Sequence, residues 1–343
     1  MVESVGLAVG IVVVTTGAVW LGSSWLESAS ERLSEYYGLP QVVQGSIVAA
    51  VGSSFPELAT VVVSALGGAL GLGTGAIVGS AIFNVLVIPA VAGISTGEDI
   101  EANRTLVYKE AQFYMLAVSA LVITFAMAVI YYPVDGTEFI SGEMNRSLAA
   151  IPLALYGLYI FIQAQDTADH VADPDAADGI DARRQWAYLL AGLAVILVAV
   201  HELVGAVEAI GAAVGVGEFI MGVTVAAAAT SLPDALVSVR AARDDRGVAS
   251  LANVLGSNTF DLLVAIPVGV LIAGTWAFNF ELAVPMFAVL TLATVLLFTA
   301  LRTDLALSTP ESVALLVAYA LFVVWVVLEA ATDAVAFLPN TAG

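Results

Sequence analysis

The sequence predicts an all-α polytopic membrane protein of ten transmembrane helices, built as two inverted five-helix repeats in which helices 2 and 7 are discontinuous. Three observations carry that expectation. Hydrophobic residues fill 60% of the 343 positions and charged ones 12%, and apolar runs near the ~20 residues that cross a bilayer recur along the chain. A polar pattern occurs twice at a constant offset of 177 residues: Gly52-Ser53-Ser54-Phe55-Pro56-Glu57 is answered by Ala229-Thr230-Ser231-Leu232-Pro233-Asp234, and Gly79-Ser80-Ala81-Ile82-Phe83-Asn84 by Gly256-Ser257-Asn258-Thr259-Phe260-Asp261. Nine of the ten basic residues, finally, fall on alternate links between the runs.

Taken in order, the first run, near 4–29, follows Met1-Val2-Glu3-Ser4, which carries no basic n-region. It reads as a first spanning helix and not as a cleaved signal peptide. The next four lie near 39–66, 75–95, 105–131 and 146–165, separated by polar or glycine-rich breaks. A polar link from Asp166 to Arg184, bearing Asp166, Asp169, Asp173, Asp175, Asp178 and Asp181, divides the chain and is too short for a regulatory domain. Five more runs follow near 185–211, 216–242, 248–273, 277–301 and 308–331. The expected organisation is a first repeat over 1–165, a short acidic cytoplasmic loop over 166–184 and a second repeat over 185–343.

With the N-terminus outside, Arg32, Arg104, Lys109, Arg183, Arg184, Arg240, Arg243, Arg246 and Arg302 all fall in cytoplasmic links, and Arg146 alone falls outside. This positive-inside bias fits ten spans in the cell membrane with both termini external. Five spans per repeat is an odd number, so the second repeat enters the membrane in the opposite orientation. The hairpin Gly67 to Gly75 is uncharged and faces outward, whereas its counterpart carries Arg243-Asp244-Asp245-Arg246 and faces inward. Inverted repeats of this kind place a site at the midplane between the halves.

Composition narrows the chemistry. Cysteine is absent and histidine occurs twice, which removes disulfides, thiolate metal sites and thiol nucleophiles and disfavours a zinc enzyme. No nucleophile constellation, phosphate loop or cofactor motif is present, so neither an enzyme nor a bound cofactor is expected. The net charge of −20, with Lys109 the one lysine, resembles the surface of a halophile protein, hydrated in concentrated salt. Pro56 and Pro233 each remove a backbone donor and free carbonyls of the preceding turn. Glu57 and Asp234 follow them directly. Ser53, Ser54, Thr230 and Ser231 add hydroxyls before the acids, while the i, i+4 pairs Ser80/Asn84 and Ser257/Asp261 each line one helix face. Every candidate ligand is oxygen, which favours Na⁺, Ca²⁺ or Mg²⁺ over softer metals.

The segments 45–92 and 222–269, with Gly-Ser-Ser-x-Pro-Glu and Gly-Ser-Ala-x-Phe-Asn in the first and Thr-Ser-x-Pro-Asp and Gly-Ser-Asn-x-Phe-Asp in the second, resemble the paired alpha-repeats of the cation/calcium exchanger superfamily, the sodium/calcium exchangers. Ala229 departs from the family's usual glycine. The resemblance implies a secondary-active antiporter that moves Na⁺ against Ca²⁺ by alternating access, with the first and sixth spans moving against the rest. It places Ca²⁺ between Glu57 and Asp234. One Na⁺ site would be lined by Ser53, Ser54 and Ser80 with Asp234, and another by Thr230, Ser231 and Ser257 with Glu57. The carbonyls near Ala50 and Ala227 would add ligands, and Asn84 and Asp261 would complete the middle. Carboxylates in mid-membrane favour occupancy by one Ca²⁺ or several Na⁺, and shared ligands make the two loads compete.

Other readings are available for each feature. A proline in a membrane helix often only kinks it, and Gly79 and Gly256 also suit close helix packing. His201 and Glu202 suit an interfacial position, and Glu27, Glu31 and Glu35 a solvated helix end. A K⁺-dependent exchanger is the alternative that Asp261 raises. A Ca²⁺/H⁺ antiporter would carry Gly-Asn-x-x-Glu signatures that are absent here, and an ion sensor without transport has no need of two-sided access. The partners expected are therefore the ions and the lipid bilayer, with no nucleic acid and no obligate protein.

Overall fold

The computed structural model describes residues 2–39, 48, 50–137, 139–166, 179–244 and 246–331. Its helices follow the apolar runs: α1 Val2–Tyr36, α2 Phe55–Gly67, α3 Leu70–Thr96, α4 Leu106–Tyr131, α5 Arg146–Asp166, α6 Ala182–Val214, α7 Glu218–Arg243, α8 Gly247–Ala273, α9 Phe280–Arg302 and α10 Thr309–Ala331. Among the described residues nine of these are long and apolar enough to cross a membrane, and α2 is shorter at 13 residues. A single turn, Ala50–Ser53, precedes α2; most of 40–49, where the second run begins, lies outside the described residues. So do Asp169, Asp173, Asp175 and Asp178 of the acidic link, whereas Asp181 accepts from the Arg183 and Arg184 amides and caps α6.

Helices α3 and α8 form the centre: Ile77, Ile82 and Val85 on one and Leu255, Leu262 and Leu263 on the other are out of contact with the surroundings. The outer helices turn apolar side chains such as Val13, Val198, Leu292 and Leu321 outward, the surface a bilayer solvates. Helices α1 and α6 lie along one another as a pair. At their crossing a Cβ on Gly192 would sit 2.7 Å from the Gly22 carbonyl, so the backbones meet directly. The pair rests on the remaining helices through a separate apolar cluster, Val19, Leu26, Ile196 and Leu203 against Ala59, Leu72, Ala76 and Met221. Gly38 (φ 62°) and Gly215 (φ 75°), at the 177-residue offset, end α1 and α6 with the same left-handed turn.

The helix breaks fall where the prolines are. Ser54 (φ −82°, ψ 5°) leaves the helical path, and α2 restarts at Phe55 with Pro56 in its first turn, where a missing N–H is tolerated. In α7 the discontinuity takes another form. A π stretch, Gly222–Ala226, widens the helix, and Pro233 then lies inside the regular segment Ala227–Arg243. Helix α3 bends at Val87 ahead of Pro89, and α8 widens into a π stretch of its own, Asp261–Ala265, ahead of Pro267.

Two antiparallel ribbons fix which links share a side. In the α3–α4 link, β1 (Ile100–Glu101) pairs with β4 (Ala306–Leu307) of the α9–α10 link. In the α4–α5 link, β2 (Ser141–Asn145) pairs with β3 (Thr275–Asn279) of the α8–α9 link, Ser141 opposite Asn279 and Asn145 opposite Thr275. Exchanging the two halves of the chain converts one ribbon into the other. Because α4 separates them, they lie at opposite ends of the bundle, and each joins two links that ten alternating crossings place on one side.

Candidate cation site

The repeated pattern converges where the turn before α2, α2 itself, α3, α7 and α8 meet. Glu57 reaches this point because it follows Pro56 in the first turn of α2, and Asp234 because it follows Pro233 in α7. Gly79 lets α3 press onto α7: a Cβ there would stand 2.7 Å from the Val223 Cα and carbonyl carbon, a distance only glycine avoids. Ser53, Ser54, Glu57, Ser80, Asn84, Thr230, Ser231, Asp234, Ser257 and Asp261 are all at most 1% exposed.

The hydrogen bonds repeat across the two halves. Ser231 Oγ donates to Ser80 Oγ (2.7 Å), and Ser80 Oγ donates to Glu57 Oε1 (3.4 Å). At the 177-residue offset, the hydroxyls of Ser54 and Ser257 are hydrogen-bonded, and Ser257 Oγ donates to Asp234 Oδ2 (3.0 Å). Each chain runs from a hydroxyl before one proline, through a serine of the opposite half, to that half's carboxylate. Ser53 stands beside Asp234, Thr230 beside Glu57 and Ser54 beside Asp261. The expectation paired Ser80 with Asp234 and Ser257 with Glu57. In this arrangement each donates to the acid of its own half, since α2–α3 and α7–α8 are hairpins whose helices pack together.

Asn84 lies between the chains, its Nδ2 3.0 Å from Asn258 Oδ1 and 3.5 Å from both Ser80 Oγ and Asp234 Oδ2. Asn258 Nδ2 is held by the Ala81 carbonyl and the Tyr114 hydroxyl, each at 3.2 Å. The sequence reading did not single out these two as site residues. Asn258 stood inside the quoted motif, while Tyr114 belongs to no motif and lies in an α4 without a repeated polar pattern. Ala50 opens the turn before α2, and the Ala227 carbonyl accepts from Thr230 Oγ1 at 3.4 Å. Glu27, read as solvated, is in fact half-buried with Oε1 withdrawn from the surroundings, because its face of α1 lies against the bundle; Glu31 and Glu35 are exposed, as are His201 and Glu202.

Among the described residues, Glu57 Oε2, Asp234 Oδ1, Asn84 Oδ1 and both Asp261 oxygens are buried and accept no hydrogen bond. Orphaned carboxylate oxygens inside a membrane are costly, and a hard cation satisfies them. No three of His, Cys, Asp and Glu form a metal-holding cluster among the described residues, so a cation here must take hydroxyl and amide oxygens alongside the acids.

Discontinuous helices crossing at a buried, oxygen-rich centre, within two halves of opposite orientation, define a secondary ion transporter of the exchanger class. The family profile described as sodium/calcium exchanger protein matches residues 7–165 and 184–328, and the chain belongs to that family. Across 81% of its length it is 27% identical to the uncharacterized membrane protein MJ0091 of Methanocaldococcus jannaschii, 86% of which is covered. It is 24% identical to the inner membrane protein YrbG of Escherichia coli, over 78% of this chain and 80% of that protein. A shorter match, 36% identity over 27% of this chain and 15% of the other, links it to sodium/potassium/calcium exchanger 3 of Rattus norvegicus. Among solved structures, the sodium-calcium exchanger NCX_Mj superposes with a TM-score of 0.65 at 25% identity, covering 93% of this chain and 98% of that one. The functionally named relatives are exchangers and not enzymes.

Proposed function

We propose that this protein exchanges Na⁺ for Ca²⁺ across the cell membrane, using no cofactor and loading both ions at the centre of the bundle. The observation that carries the reading is the set of buried, undonated oxygens on Glu57, Asp234, Asn84 and Asp261, flanked by two equivalent hydroxyl chains. Ca²⁺ lies between Glu57 and Asp234, and Na⁺ ions take the hydroxyl-rich positions of Ser53, Ser54, Ser80, Thr230, Ser231 and Ser257, with carbonyls at Ala50 and Ala227 contributing. Because the loads share Glu57 and Asp234, one excludes the other, and exchange follows from competition. The halves 1–165 and 185–343 act as the inverted repeats, and the positive-inside pattern supports external termini.

A K⁺-requiring exchange is the second reading. Asp261 and the 36% match to a sodium/potassium/calcium exchanger favour it. The test is ⁴⁵Ca²⁺ uptake into proteoliposomes preloaded with Na⁺ and diluted into Na⁺-free medium, with K⁺ and pH gradients set independently. Uptake that needs internal Na⁺ and ignores K⁺ is expected; a K⁺ requirement selects the second reading. Uptake that follows the pH gradient alone overturns both.

A further inference from the structure

A buried polar stripe on α1 lies outside the central site. On α1, Ser23, Glu27, Ser30 and Ser34 fall at i, i+4, i+7 and i+11, one face of the helix. Ser23 is fully buried, Ser30 and Ser34 are 8% and 2% exposed, and Glu27 lies between them. Ser34 returns its hydrogen to the Ser30 carbonyl (2.7 Å), as serines in apolar helices usually do. Ser23 does not: its Oγ and Glu27 Oε1 are both buried without a hydrogen-bond partner.

The second half supplies an internal control. At the 177-residue offset the same face of α6 carries Val200, Val204, Val207 and Gly211, all buried. The three serine positions, buried in both helices, and the half-buried Glu27 position are thus apolar in α6 and hydroxyl or carboxylate in α1, so packing alone does not require polar groups there. The stripe faces the bundle: a Cβ on Gly52, next to Ser53, would meet Ser30 Oγ at 3.8 Å. The charged groups acting on Glu27 are Asp234 and Arg240 of α7 and Glu31 one turn along α1.

We propose that Ser23 and Glu27, with Ser30 and Ser34 beyond them, form a cation subsite on α1 between the membrane face at which α1 ends and Asp234, holding a partly hydrated Na⁺ or Ca²⁺ in transit. The proposal rests on the exchange reading above. A carboxylate oxygen and a hydroxyl with no other partner are hard donors, and one negative charge suits loose binding with water completing the shell. The asymmetry between α1 and α6 makes the subsite one-sided.

The test is Glu27→Gln in the full chain, assayed as Na⁺-driven ⁴⁵Ca²⁺ movement in right-side-out and everted vesicles. Half-saturating Ca²⁺ is expected to rise about fivefold at the face where α1 ends and to change by less than about twofold at the other, since only a charge along one access path is lost. Ser23→Val, which installs the residue found at the α6 position, is expected to shift the same face and serves if Glu27→Gln fails to fold. Equal shifts at both faces, or none, overturn the subsite while leaving exchange intact. If the unaltered protein moves no Ca²⁺ against Na⁺, the exchange reading fails. Equilibrium ⁴⁵Ca²⁺ binding to the purified protein then decides the subsite, and identical binding by Glu27→Gln overturns it.

Discussion

Replacing Glu57 by Gln removes one charge from the site and leaves its shape, including an oxygen to accept from Ser80 at 3.4 Å. At about 4 Å and an effective dielectric of about 20, a unit charge contributes about 4 kcal/mol to binding Na⁺ and about 8 kcal/mol to binding Ca²⁺. Relief of repulsion with Asp234 and Asp261 in the unloaded protein offsets both by the same amount. The difference between the ions, at most about 4 kcal/mol, corresponds to about a thousandfold change in relative affinity. Residual water and relaxation reduce it, and Ca²⁺ is expected to lose at least about tenfold more affinity than Na⁺. The assay is Na⁺ competition against ⁴⁵Ca²⁺ binding to the purified variant, with size-exclusion chromatography to show that it folds. Equal loss of both ions refutes the charge-counting argument, and unchanged Ca²⁺ binding refutes Glu57 as a ligand.

Further outcomes follow from the same geometry. Ser257→Ala deprives Asp234 Oδ2 of its 3.0 Å donor and is expected to weaken Na⁺ dependence of transport about tenfold, with about 1–3 kcal/mol of destabilisation; unaltered Na⁺ dependence excludes that position. Gly79→Ala forces α3 away from the Val223 backbone and is expected to cost about 1–3 kcal/mol or more, read as a lower melting temperature in detergent; an unchanged melting temperature contradicts the close approach. Cysteines at Ile100 and Leu307, paired across a ribbon in a chain that otherwise has none, are expected to form a disulfide on oxidation. A single cysteine at Glu101 should react with an impermeant maleimide from one side of the membrane and one at Glu143 from the other; labelling of both from the same side contradicts the ribbon topology.

The helices and the centre were legible because lipid makes the signals coarse: spans must be apolar, and carboxylates beside prolines stand out against them. Glu57, Asp234 and Asp261 could be read for that reason, and the constant offset brought Ser80 and Ser257 with them. The route of the hydrogen bonds was not legible. Whether Ser80 turns to Glu57 or Asp234 depends on sub-ångström placement of α3 against α7, which no residue spacing encodes. Tyr114 contributes a hydroxyl from an α4 that carries no part of the repeated pattern, so nothing local marks it. The π stretches at Gly222–Ala226 and Asp261–Ala265 insert one residue into a turn and leave the run of apolar residues unchanged. Glu27 was misplaced because helix ends near a membrane surface usually meet water, whereas α1 continues to Tyr36 with that face against its neighbours.

The two ribbons have a mechanical consequence. Helices α3, α4 and α5 are stitched to α8, α9 and α10 at one end by β1 with β4 and at the other by β2 with β3, like staves hooped top and bottom. Splaying either end to admit an ion would break backbone hydrogen bonds, and the hoop at the far end would resist the counter-rotation. The α1–α6 pair sits outside both hoops, seated on the rest through an apolar cluster with the polar stripe of α1 beside it. A movement of that pair, which the exchange reading calls for, would leave the hydrogen bonds of both hoops in place, whereas parting the staves would not.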